Sequence, residues 1–89
     1  MKGLHFESRG EGDYYKLLLH IGHAFVPVSE DIIEILKLHA SDTPDRFLPI
    51  FLDQLGYSLY LREMIQAELN EGGDSASQLA TLQDFLKAL

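Results

Sequence analysis

The stretch Tyr14-Tyr15-Lys16-Leu17-Leu18-Leu19-His20-Ile21-Gly22-His23-Ala24-Phe25 decides between two folds. Read as a strand, it sets Tyr15, Leu17, Leu19 and Ile21 on one side. Read as a helix capped by Asp13, it gathers Tyr14, Leu18, Ile21 and Phe25 into one stripe. A glycine inside a helix costs about 1 kcal/mol relative to alanine, which counts against a helix through Gly22, and adjacent tyrosines suit a pleated surface. The strand is the preferred reading, with an all-α bundle as the alternative.

The residues upstream agree with the strand. Residues 3–8 alternate, Leu4 and Phe6 against His5 and Glu7, at the period of a half-buried strand. Arg9-Gly10-Glu11-Gly12-Asp13 is rich in turn formers and reads as a hairpin connection. A short third strand fits near Phe25–Val28, before the boundary at Pro27 and Ser29.

Downstream, the period changes to that of helices. Ser29 is an N-cap candidate, and Glu30 and Asp31 follow at the positive end of the helix dipole. At about 100° per residue, Ile32, Ile33, Ile35 and Leu36 share an arc, Leu38 falls on the polar side, and the helix ends near Ala40. Pro44 suits a first helical position, but an interior Pro49 costs about 3 kcal/mol. A turn at 44–47 followed by a helix from Leu48 to Leu55 is the expected compromise, ended by Gly56. A further helix spans Ser58 to Asn70, before Gly72-Gly73. The last runs from Ser77 to Leu89, with Ser75 and Gln78 at capping-box spacing and Leu79, Leu82, Phe85, Leu86 and Leu89 as its stripe.

The expected fold is therefore α+β: an N-terminal β-hairpin, with a short third strand, packed against about four helices. One small domain covers 1–89. It divides into a hairpin region (1–28), a helical core (29–70) and a C-terminal helix (77–89) behind a flexible link at 71–76, so that the last helix could dock on another chain.

The charge is distributed unevenly. Residues 1–28 balance three acids (Glu7, Glu11, Asp13) with three bases (Lys2, Arg9, Lys16), while 29–89 hold eleven acids and four bases, the whole net charge of −7. Such an acidic chain disfavours direct nucleic-acid binding and anionic membrane surfaces. It contains no cysteine, which excludes disulfides and thiolate metal sites. No apolar run reaches the ~18 residues of a membrane span, and no secretory pattern opens the sequence, so a cytoplasmic location is expected.

The apolar run Arg46-Phe47-Leu48-Pro49-Ile50-Phe51-Leu52-Asp53-Gln54-Leu55 is the most unusual segment. Its large side chains spread over about 200° of a helical projection, against the ~100° stripe of a surface helix. Burying six of them is worth roughly 9–18 kcal/mol in gross terms. Either the other helices wrap it, or part of it grips a partner. Phe47, Phe51, Tyr57 and Tyr60 are the candidate anchors, because aromatic side chains carry disproportionate interface energy. Asp42, Asp45, Asp53, Glu63 and Glu71 would form an acidic rim around them. Glu68 interrupts its helix's apolar arc between Leu61, Met64 and Ile65, so it must reach water or find a base, either Arg46 or an arginine of a partner.

Chemistry finds little support. His20 and His23 have i, i+3 spacing and His5 and His39 could approach them, but no two-His-plus-carboxylate motif accompanies them. The Gly10-x-Gly12 pair lacks the rest of a phosphate loop, and no serine sits in a nucleophile elbow. No cofactor and no enzymatic activity are expected. The leading expectation is a non-catalytic acidic interaction module (a regulator, inhibitor or adaptor) that binds a protein with a basic surface and forms a homodimer. The alternatives are a nucleic-acid-mimicking inhibitor of a DNA- or RNA-binding complex, and a small-ligand or metal-binding domain using the histidines.

Overall fold

A computed structural model describes residues 3–11 and 14–89. The stretch that the sequence left between two readings is extended: a strand to Ile21, a turn at Gly22 and His23, and the start of the next strand at Ala24. Strands β1 (Leu4–Glu11), β2 (Tyr14–Ile21) and β3 (Ala24–Val28) form an antiparallel sheet in the order β1-β2-β3. Helices α1 (Glu30–Leu38), α2 (Pro44–Leu55), α3 (Leu59–Glu71) and α4 (Ser75–Lys87) follow. The fold is α+β, with the sheet in one layer and the helices in the other. Among the described residues no helix is long and apolar enough to cross a membrane.

β1 runs past the expected end at residue 8, because Arg9, Gly10 and Glu11 continue the ladder opposite Lys16, Tyr15 and Tyr14. The tip of the expected turn, Gly12 and Asp13, and the inward placement expected for Tyr15 lie outside what the structure describes. The second hairpin turns on Gly22 and His23, between the paired residues Ile21 and Ala24. Gly22 has φ +61°, and His23 stays in the negative half of the map. Glycine with positive φ at the first central position is the mark of a type II′ turn, whose twist matches that of the strands it joins. The residue that argued against a helix is the one that makes the hairpin.

The register places Leu4, Phe6, Leu17, Leu19, Ile21, Val26 and Val28 on the inner face. Leu36 of α1, Phe47, Phe51 and Leu55 of α2, Leu61, Ile65 and Leu69 of α3, and Leu79, Leu82 and Leu86 of α4 complete one core. Phe6 packs edge-on against Phe51 with centroids 6.4 Å apart, and against Phe85 of α4 at 5.6 Å.

α1 begins as expected, with Ser29 Oγ accepting from the Ile32 N–H at 3.4 Å. α2 differs from expectation: it is continuous from Pro44 to Leu55 with Pro49 inside it. Proline there removes the bond that its N–H would give to the Asp45 carbonyl and crowds that carbonyl with its ring, one turn from the helix start. Phe47 and Phe51, four residues apart on one face, are both fully buried, and this burial outweighs the lost bond. α4 starts two residues earlier than expected. Its cap is Asp74, which accepts from the Ala76 N–H at 3.1 Å and the Ser77 hydroxyl at 2.9 Å. Gln78 does not close a capping box with Ser75; its Nε2 donates back to the Leu69 carbonyl of α3 at 3.1 Å. Of the expected 71–76 link, residues 72–74 lie between the helices, bridged by Gln78; Leu79, Leu82 and Leu86 of α4 pack in the core of their own chain, while Leu89 lies beyond the helix and is exposed.

Gln83 is the one buried polar side chain among the described residues. Its Nε2 donates to the carbonyls of Asp42 at 2.7 Å and His39 at 3.3 Å, tying α4 to the α1–α2 connection. Replacing Gln83 with Leu keeps the volume but strips two sheltered carbonyls of their donor, a loss of about 1–3 kcal/mol. Urea denaturation of Gln83→Leu should show that loss at an unchanged m-value.

Candidate interaction site

Two surfaces stand out once the core is assigned, apart from the lone exposed Leu38 on α1. The first is the α2–α3 elbow. Gly56 closes α2 by donating its N–H to the Leu52 carbonyl at 2.8 Å. Arg62, from the first turn of α3, straps the corner: its Nε donates to the Gly56 carbonyl at 2.7 Å and its Nη2 to Asp53 Oδ1 at 3.2 Å. A Cβ on Gly56 would lie 2.5 Å from Arg62 Cγ and 2.7 Å from the Leu52 carbonyl, so only glycine admits the strap. Ser58 Oγ then accepts from the Leu61 N–H at 3.1 Å and starts α3. With Leu61 turned into the core, Tyr57, Leu59 and Tyr60 stand out of the elbow at 69%, 73% and 72% exposure. Asp53 and Glu63 are exposed on the flanking turns.

This arrangement divides the residues singled out from sequence. Tyr57, Tyr60, Asp53 and Glu63 share the elbow. Phe47 and Phe51 are 0% exposed, so the reading of these two as partner-binding anchors gives way to the reading of a central helix wrapped by the others. Their rings pack against each other at 5.7 Å beneath the sheet. Glu68 lies elsewhere, half-buried at the far end of α3, its carboxylate resting over Gly22 of the β2–β3 turn. Among the described residues no ion pair joins it to Arg46, which is exposed on α2. Leu59 was missed. Its position beside Tyr60 resembles another core residue until the N-cap is fixed at Ser58, which turns it outward.

The second surface is the outer face of the sheet, where the register brings His5, His20 and Phe25 into one row and Glu7, Leu18 and Pro27 into the next. The His5 and His20 rings stack in parallel with centroids 4.5 Å apart, and Phe25 lies 5.8 Å from His20. His20 Nε2 hydrogen-bonds to Glu7 Oε1 at 2.6 Å, and Arg9 Nε donates to Glu7 Oε2 at 3.0 Å. Of the four histidines only these two meet; His23 is exposed at the turn, and His39 Nδ1 pairs with Asp42 Oδ2 at 2.9 Å. Among the described residues no group of three His, Asp or Glu side chains is arranged to hold a metal ion. The alternation of residues 3–8 already put His5 and Glu7 on one face; what it could not supply was the opposing row from β2 and β3.

No family model matches this chain, and neither a curated protein nor a solved structure matches it.

Electrostatics on the outer face are directional. Burial, and then the neighbouring His20, lower the His5 pKa below its ordinary 6.5. The hydrogen bonds from Arg9 and then His20 hold the Glu7 carboxyl below its ordinary 4.5. For His5 the unfolded chain binds the proton more readily, so its contribution to stability is complete above pH 6.5 and is lost as pH falls below it. Urea midpoints should decline from neutral pH toward pH 5, and His5→Gln should flatten the part of that slope nearest 6.5. Equal slopes in the two proteins would show that the histidine stack carries no pH dependence.

Proposed function

We propose that this chain is a non-catalytic protein-interaction module whose docking element is the Tyr57–Leu59–Tyr60 ridge. The observation that carries the reading is the exposure of three large apolar side chains within four residues, held on a corner braced by Arg62 and Asp53. A domain of this size has room to hide single apolar residues, and a contiguous exposed group of them is a usual sign of association. Tyrosine suits such a role, because it offers a large rigid surface with a polar tip at little cost in side-chain entropy.

Asp53 and Glu63 flank the ridge, and the helical part of the chain holds the entire net negative charge. Apolar contact would supply affinity, and the acids would speed encounter with a basic partner and discourage acidic ones. Asp53 already shares its charge with Arg62, so Glu63 is the freer of the two for steering. The same reading takes the cytoplasm as the place of action, where a chain without cysteine forgoes nothing.

Replacing Tyr57 and Tyr60 with Ser should change folding stability by less than about 0.5 kcal/mol, because neither packs in the core. Affinity capture from the source cells, wild type against this double variant, should lose a specific partner that wild type retains. Binding of that partner should weaken as salt rises from about 50 to 500 mM, as long-range steering is screened. An identical set of captured proteins for both chains would remove the ridge from consideration.

A further inference from the structure

The two edges of the sheet are not equivalent. The Gly22 N–H donates to the Gly3 carbonyl at 2.9 Å, which fixes the phase of the β1–β2 ladder. In an antiparallel pair, hydrogen-bonded and non-hydrogen-bonded residues alternate, so His5, Glu7 and Arg9 turn their backbone groups toward β2. Leu4, Phe6, Ser8 and Gly10 therefore turn theirs away from the sheet. Among the described residues, no backbone or side-chain hydrogen bond outside the ladder reaches Phe6, Ser8 or Gly10. The opposite edge is blunted. By the same alternation Pro27 of β3 faces outward there, and it has no N–H to offer.

The free edge is also self-complementary. Glu7 and Arg9 lie on the outer face on either side of Ser8, and Ser8, Arg9 and Gly10 are all exposed. When two copies of β1 run antiparallel about a two-fold axis at Ser8, Ser8 pairs with Ser8 and Phe6 with Gly10 as hydrogen-bonded pairs. Glu7 of each copy then falls opposite Arg9 of the other in a non-hydrogen-bonded pair, the type in which side chains approach most closely. Gly10 supports this register, because the space where its Cβ would be is empty to 4 Å, leaving room opposite Phe6. A slip of two residues in either direction loses the match: centring on Glu7 sets Glu7 against Glu7, and centring on Arg9 sets Arg9 against Arg9.

We infer that the chain self-associates through β1, two copies joining their sheets into one continuous antiparallel sheet centred on Ser8. The occupant of this edge is a second copy because the charge pattern is its own complement when reversed, Glu7-Ser8-Arg9 meeting Arg9-Ser8-Glu7, as an isologous contact requires. Within one chain Glu7 already binds Arg9; in the dimer each carboxylate bridges its own arginine and the other copy's. The inference is independent of the tyrosine ridge, which lies on the elbow between α2 and α3.

Sedimentation equilibrium of the whole chain tests it. Wild type should dimerise within the range up to about 1 mM, and Ser8→Pro, which removes an outward N–H at the axis and none from the β1–β2 ladder, should abolish the dimer. Glu7→Arg and Arg9→Glu should each weaken self-association by about tenfold or more, since each sets like charges opposite one another twice. An equimolar mixture of those two variants should form a heterodimer at least as tight as wild type, because both cross-strand pairs become Arg opposite Glu. Far-ultraviolet circular dichroism checks that each variant keeps its sheet. The Tyr57→Ser/Tyr60→Ser protein should dimerise like wild type, separating this interface from the elbow. A wild-type chain that stays monomeric, or a dimer indifferent to Ser8→Pro, or variants that fail to pair with each other, would overturn the inference.

Discussion

The inner face of the sheet is almost wholly apolar, and three strands alone give it no cover; the contact that resolves this is made at Phe6. Its ring meets Phe51 of α2 and Phe85 of α4 at once. One side chain thereby fixes both the height of the helical layer over the sheet and the lateral spacing of two helices. Phe51 packs in turn against Phe47 at a tilt, so the central helix is anchored along its length. Interiors pack at crystal-like density, so a layer held at this point has little freedom elsewhere. The unusual breadth of the α2 apolar surface follows from the same constraint. That helix must satisfy the sheet below it and the other helices beside it.

Given that frame, the positions of the exposed groups are determined rather than incidental. α2 ends where Leu55 enters the core, and Gly56 then lets Arg62 cross the corner. Tyr57 and Tyr60 are left outside because the residues between and after them are committed: Ser58 to the cap and Leu61 to the core. On the sheet, Leu19 and its inward neighbours force His5, Glu7, Leu18 and His20 onto the other side. There a charged and aromatic grid forms on a surface that has no helix of its own to pack against.

Much of this was legible in advance. The alternation of 3–8, the cap at Ser29, and the glycines at 22, 56 and 72 each encode a local preference strong enough to survive folding. Pro49 misled because its cost is local, whereas the burial of Phe47 and Phe51 that overrides it is tertiary. The same gap explains the candidate site. A wide apolar helix and an adjacent Tyr-x-x-Tyr pair look alike on a helical wheel, and nothing local reveals that the phenylalanines lie under a sheet and the tyrosines outside it.

The amino-acid sequence by itself favoured the α+β class over an all-α bundle, and it set the approximate number of helices and the excess of acid in the helical part, since period, capping and charge are properties of neighbours along the chain. Tertiary structure decided which aromatic residues are exposed, that His5 lies on His20 rather than near His23 or His39, and that one sheet edge is blocked by proline while the other is open. Those outcomes depend on register and on which layer covers which face, and both are set by contacts between residues far apart in the chain.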